Sequence, residues 1–148
     1  MEKVMTDQLD RAQRCGLLAV AEPDELRVLA DACLADGVDV RVLVAPEVGC
    51  VSTQVREPVA GERFLIGDVL ACRAEVELAG QRGWAMRLGD DRAAVLAAAV
   101  LDAEAAGARP RAADVDELCR TVAHRQADRD EREWAELAPT IVEFEELT

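Results

Sequence analysis

Nine consecutive residues, Ala93 to Leu101 (AAVLAAAVL), carry no polar side chain. They sit inside the stretch 91–106, DRAAVLAAAVLDAEAA, which reads as one alanine-rich helix with Gly107 as its stop and Pro110 beyond it. A helix that is apolar all round has to be covered on more than one side. A sheet can cover one side, and a neighbouring helix or a partner subunit must cover the rest. Left alone, such a helix and so few aromatic anchors predict an exposed apolar surface that a partner would cover.

The sheet is legible just upstream. Ala74, Val76 and Leu78 alternate with Arg73, Glu75 and Glu77, the period of a half-buried strand. A tight connection at Gly80–Gly83 leads to a short strand, 84–88. Gly89-Asp90-Asp91 then turns into the apolar helix, with the aspartates as its cap. Further upstream, Val38, Val40, Val42 and Val44 define a strand over 38–45. Pro46-Glu47-Val48-Gly49 reads as a turn, and 50–56 as the hairpin partner of that strand. After a second turn at 57–61, an extended stretch covers 63–79. It is interrupted at Gly67-Asp68, where a glycine inside a strand pattern signals a bulge.

Helices flank this sheet. Residues 6–20 read as a helix capped by Thr6 or Asp7, with Leu9, Ala12, Gly16, Leu17 and Val20 facing inward. Pro23 opens a second helix, about 23–36, whose stripe is Leu26, Leu29, Ala30, Cys33 and Leu34, ended at Asp36-Gly37. A last helix runs from about Asp114 to Leu137. It has a core stripe of Val115, Leu118, Cys119 and Val122, then a charge-rich rod carrying Trp134. The expectation is an α+β fold forming one domain over residues 1–148. It has an antiparallel sheet of about four strands, two N-terminal helices, a buried apolar helix and a long C-terminal helix. The tail 139–148 would add as an edge strand.

Composition narrows the function. The net charge of −13 opposes phosphate backbones, so nucleic acid is excluded as a partner, and the chain is poorly suited to hold a polyanion by itself. No apolar run approaches membrane length and no signal core precedes the first helix. Cys15, Cys33, Cys50, Cys72 and Cys119 are never nearer than 17 positions, without a CxxC pair, and His124 is the single histidine. Zinc-type spacing is therefore missing, and the scattered thiols suit small hydrophobes in a reducing cytoplasm.

Reactive constellations are equally scarce. His124 lies on the charged part of the last helix and reads as a surface or interface residue. The glycines at 61 and 67 lack the Lys-Ser/Thr of a phosphate loop. Arg56, Arg63, Arg73, Arg82 and Arg87 gather in the sheet region, where pairing with Glu57, Glu62, Glu75 and Glu77 is favoured over an anion site. No catalytic, cofactor-binding or metal-binding residue is assigned. The candidates are interface residues: Phe64, Leu65, Gly67 and Asp68 around the expected bulge, Trp84 (explained equally well by core packing), and Phe144 in the tail.

Several short motifs, in order, carry a resemblance. They are Leu18-Ala19, Glu22-Pro23-Asp24-Glu25-Leu26, Pro46-Glu47-Val48-Gly49, Gly61-Glu62-Arg63-Phe64, Gly67-Asp68, Arg73 to Leu78, Gly83-Trp84-Ala85, Gly89-Asp90-Asp91 and Leu101-Asp102-Ala103, with Thr140, Val142, Glu143 and Phe144 closing. Together they resemble PhnG, the small subunit of the bacterial carbon–phosphorus lyase core complex. The chain departs from that family at Gln13-Arg14-Cys15, where a Trp is usual, and after Phe144, where Glu145-Glu146 replaces a second Phe and a Thr; its last helix is also longer.

The resemblance implies a subunit that assembles with the H, I and J subunits for organic phosphonate breakdown. With H, I and L proteins the family supports displacement of adenine from ATP by an alkylphosphonate, giving a ribose 1-alkylphosphonate 5-triphosphate. The radical C–P cleavage with its iron–sulfur cluster belongs to the J subunit. The complex, rather than this chain alone, would handle ATP and phosphonate, and no cofactor is expected here. The competing reading is a free-standing small-ligand-binding domain or enzyme.

Overall fold

The computed structural model describes residues 9–142. In chain order the elements are α1 (Arg11–Val20), α2 (Pro23–Leu34), β1 (Val40–Arg56), β2 (Arg63–Leu78), β3 (Gln81–Leu88), α3 (Arg92–Ala106) and α4 (Ala112–Leu137). A single 3-10 turn, Ala138–Thr140, follows α4. The strands form one antiparallel sheet in the order β1-β2-β3. The architecture is α+β, as expected.

The strand count is three rather than about four. Residues 40–56 are one continuous strand, so 38–45 and 50–56 are not hairpin partners; both pair with β2, from Val40 opposite Leu78 to Arg56 opposite Arg63. Pro46 is accommodated because β1 is an edge strand, where a missing N–H costs no ladder bond if it faces outward. Register shifts between Val42 and Val44, and between Val44 and Glu47, absorb the irregularity.

The apolar helix α3 is the centre of the molecule. It packs against β3 and β2 on one side and against α1, α2 and α4 on the others. Every residue from Ala97 to Glu104 is buried. The helices of the chain thus supply most of the cover that the sequence demanded; Ala93 stays exposed and Leu96 half-buried, beside Ala97 and Val100 in an open apolar groove that Val40 and Val42 also line. Asp91 caps the helix, its side chain accepting from the Ala94 N–H at 2.9 Å, and Gly107 ends it. Gly83 of β3 lets strand and helix touch. A Cβ there would overlap the Ala99 carbonyl and sit 2.6 Å from the Ala103 Cβ.

Helix α1 differs in phase from its expected face. Arg14 and Leu18 are buried, whereas Ala12, Gly16 and Val20 are exposed. Two arginines cause the rotation. Arg11 reaches Asp102 of α3, and Arg14 reaches Asp116 of α4 at 2.9 Å. The cap is Asp10, in a reciprocal box with Gln13; the caps expected at Thr6 or Asp7 lie outside the described residues. Helix α2 follows expectation, with Pro23 at its start and Leu26, Ala30 and Cys33 buried. Helix α4 buries Val115, Cys119 and Val122 and is tied to α2 by Arg125 and Glu25 at 2.8 Å. From Ala127 to Leu137 all its residues are exposed. The edge strand expected at 139–148 is not seen through Val142, and its remainder lies outside the described residues.

Candidate functional site

The strands of the sheet differ in length, and that difference builds the most distinctive surface. β3 pairs with β2 only from Ala71 to Leu78. Beyond Ala71, β1 and β2 continue together as a two-stranded ribbon that runs to the Arg56–Arg63 pair. Among the described residues no helix backs it, and none of residues 49–70 is buried. A two-stranded ribbon in water is marginal on its own, and native ones normally pack against something.

Its side chains do not suit solvent. Phe64 is 50% exposed, Leu65 and Ile66 are each 63% exposed, and Leu70 is 47% exposed. Phe64-Leu65-Ile66 is a run of consecutive apolar residues in a strand, so both faces of the ribbon are apolar at its tip. Val51 adds to this surface, and Val59 stands out on the tip loop. Glu57 organises that loop, accepting from the backbone N–H groups of Val59, Ala60 and Glu62, which holds its carboxyl below the ordinary value.

The bulge expected at Gly67 is present. Thr53 faces Gly67 while Gln54 faces Leu65, so Ile66 is the extra residue. Gly67 has φ of 152°, a conformation that side chains rarely adopt. Asp68 accepts a hydrogen bond from the Ser52 hydroxyl at 2.8 Å across the ribbon. Phe64, Leu65, Gly67 and Asp68 are thus brought together. Trp84 is not among them. It lies opposite Glu75 on the helix-backed half of the sheet, 39% exposed, roughly 35 Å of strand away from Phe64. Phe144 lies outside the described residues. Sequence reasoning missed Ile66, Leu70 and Val51. The signal that finds them is that strands of 17 and 16 residues cannot be covered by one of 8, and those lengths appear only once the strands are paired.

The charged groups of the body are spent on structure. Asp102 is fully buried and accepts from Arg11 Nη2 at 2.7 Å, Arg11 Nε at 3.2 Å, the Trp84 N–H at 2.9 Å and the Cys15 thiol at 3.4 Å. The Arg11 pKa is raised, first of all by this bond. Both carboxylate oxygens are committed, so Asp102 clamps α1, α3 and β3 together. Glu104, also buried, accepts from Arg109 Nε and the Arg111 N–H, each at 2.9 Å, and fixes the turn into α4. Burial pushes the Cys15 thiol up to about 11, aided by the Asp102 carboxylate, so it is no nucleophile near neutrality.

Two of the sheet arginines, Arg73 and Arg87, are structural too, with partners other than those expected. Arg73 pairs with Glu47 at 2.5 Å, and Glu77 pairs with Arg41. Arg87 donates to the Leu18 and Ala21 carbonyls at 2.6 and 2.8 Å, satisfying the end of α1. His124 is exposed on α4. Among the described residues, no three His, Cys, Asp or Glu side chains gather where they could hold a metal. An open groove of about 340 Å³ at the root of the ribbon is lined by Glu47, Val51, Arg73 and Met86. Among the described residues, no helix is long and apolar enough to cross a membrane.

The family model described as phosphonate metabolism protein PhnG matches residues 9–148, and the chain belongs to that family. No curated protein matches it.

Proposed function

We propose that this PhnG-family chain is a mainly structural, non-catalytic subunit of a multi-subunit enzyme of phosphonate metabolism, a ribose 1-methylphosphonate 5-triphosphate synthase. The assembly transfers the ribose 5-triphosphate of ATP to an alkylphosphonate. A phosphonate oxygen bonds to the ribose C1 as the bond to adenine breaks, and adenine leaves with a proton. The partners are the H, I and J subunits, and ATP and phosphonate bind to the complex rather than to this chain alone. Five free thiols suit work in the reducing cytoplasm.

One observation carries this reading: a two-stranded ribbon with no buried residue displays Phe64, Leu65 and Ile66 to solvent. Such a surface serves a chain whose fold is completed by another chain. The net charge of −13 supports the same view, because triphosphate and phosphonate are both anionic.

Adenine release from ATP plus methylphosphonate tests the reading. The isolated chain is expected to release none, and the chain combined with the H, I and L proteins to be active. Activity of the chain alone would overturn the proposal. In the assembly, His124→Ala is expected to keep activity within a few-fold. A loss of about a thousandfold with assembly intact would be the scale of an essential catalytic group.

A further inference from the structure

The ribbon offers more than apolar side chains; it offers an open strand edge. The last rung between β2 and the segment after β3 is the Gly89 N–H donating to the Leu70 carbonyl at 2.9 Å. Leu70 and Gly89 therefore form a hydrogen-bonded pair, and alternation along β2 turns the Asp68 N–H and C=O toward the same edge. On the far side of the bulge, the Glu57 N–H donates to the Glu62 carbonyl at 3.0 Å. The pair 57–62 thus faces inward, and the backbone groups of Arg63 and Leu65 face outward. Among the described residues, no strand lies along this edge.

We propose that an extended, apolar segment of a different protein chain adds to this edge as a strand, in line with β3 and bonded to the backbone of Arg63, Leu65 and Asp68. Unused backbone donors and acceptors in a row call for another extended backbone. The neighbouring Phe64, Leu65, Ile66 and Leu70 call for apolar side chains on that segment. The bulge at Ile66 breaks the row, so the added strand bonds in two separate stretches, Arg63 with Leu65 and then Asp68, rather than in one even ladder.

Charge selects a different chain over a second copy. Residues 49–70 hold two arginines against three acids, whereas the whole chain carries −13. Two copies would each carry −13, and that like net charge opposes their association.

This inference rests on the proposed role as a subunit, and one experiment separates the two. Backbone hydrogen exchange, resolved to single amides, is measured on the isolated chain and on the assembly formed by co-expression with the H, I and J subunits. The amides of Arg63, Leu65 and Asp68 are expected to exchange freely in the isolated chain and at least about a hundredfold more slowly in the assembly. If the assembly forms and these amides stay fast, docking uses side chains only; the strand-addition inference falls and the subunit role stands. If they are already slow in the isolated chain, the edge is filled by a second copy (protection rising with concentration) or by the chain's own tail (protection independent of it), and the inference falls. If no assembly forms, both readings fall. Asp68→Pro, which removes one outward donor, is expected to weaken assembly about tenfold, with Asp68→Ala closer to the parent.

Discussion

Two halves of one sheet are built from the same strands and obey opposite rules. In the half from Ala71 to Leu88, Ala74, Val76 and Leu78 are fully buried against α3, while Arg73, Glu75 and Glu77 alternate outward. Each buried Leu or Val contributes about 1.5–3 kcal/mol, and the clamps at Asp102 and Glu104 tie the helices behind. In the half from Gly49 to Leu70 nothing is buried, and the apolar residues occur consecutively. The first half is complete within the chain. The second has the side chains of an interior and no interior to enter. The difference teaches that a strand pattern reports what a strand needs to touch, whether or not the described residues supply it.

If that contrast is right, damage to the body should cost stability and damage to the ribbon should cost assembly. The largest effect is expected from Gly83→Ala. The new methyl meets α3 backbone and the Ala103 Cβ, so the helix must move, with a loss of about 3 kcal/mol or more in urea denaturation. Asp102→Ala comes next. It strands the Trp84 N–H and releases Arg11, whose side chain is half exposed and rehydrates in part, so about 2 kcal/mol is expected by the same measurement.

In the ribbon, Phe64→Ser combined with Leu65→Ser is expected to change the unfolding free energy by less than about 0.5 kcal/mol. Co-elution with the partner subunits should weaken at least about tenfold, or 1.4 kcal/mol. Gly67→Val, which forces a β-branched residue into φ of 152°, should likewise leave the body folded and weaken assembly. A ribbon variant that unfolds the chain but spares assembly would break the comparison outright.

Two smaller effects sharpen it. Cys50 is exposed on the ribbon, whereas Cys33, Cys72 and Cys119 are buried in the body. A maleimide should label Cys50 first in the isolated chain and slow markedly on it in the assembly. The buried thiols also set a pH dependence. Burial is the main force that raises Cys15, Cys33 and Cys119 from 9.0 to about 11. Unfolding returns them to the ordinary value, so the unfolded state loses protons first. Their contribution is full below pH 9 and falls as pH rises toward 11. Denaturation midpoints at pH 8 and pH 10.5 should differ in that direction, and Cys33→Ala should reduce the difference.

Much of this was readable from the residues. The 93–101 run demanded cover on several sides, and Asp91, Gly107, Pro23 and the 73–78 alternation mark real boundaries. Periodicity failed where charge overrode it. Arg11 and Arg14 turn the polar side of α1 inward because Asp102 and Asp116 wait there, and no local pattern announces a partner more than 90 positions away. Pro46 was legible as a breaker, yet an edge strand tolerates it. The ribbon was half legible. Gly67 signals the bulge, but the lack of backing follows from the relative lengths of three strands, which only pairing reveals.

The most direct test removes the ribbon and keeps the body. Val51 and Val69 face each other, so replacing Ser52–Asp68 with an Asn-Gly turn closes a short hairpin at that pair. Circular dichroism, urea denaturation and size-exclusion chromatography after co-expression with the H, I and J subunits are read together. The shortened chain is expected to fold with a stability within about 1 kcal/mol of the parent and to elute apart from the partners. If it enters the assembly as the parent does, the ribbon is not the interface; if it fails to fold, the body is not complete without it. Either result contradicts the account.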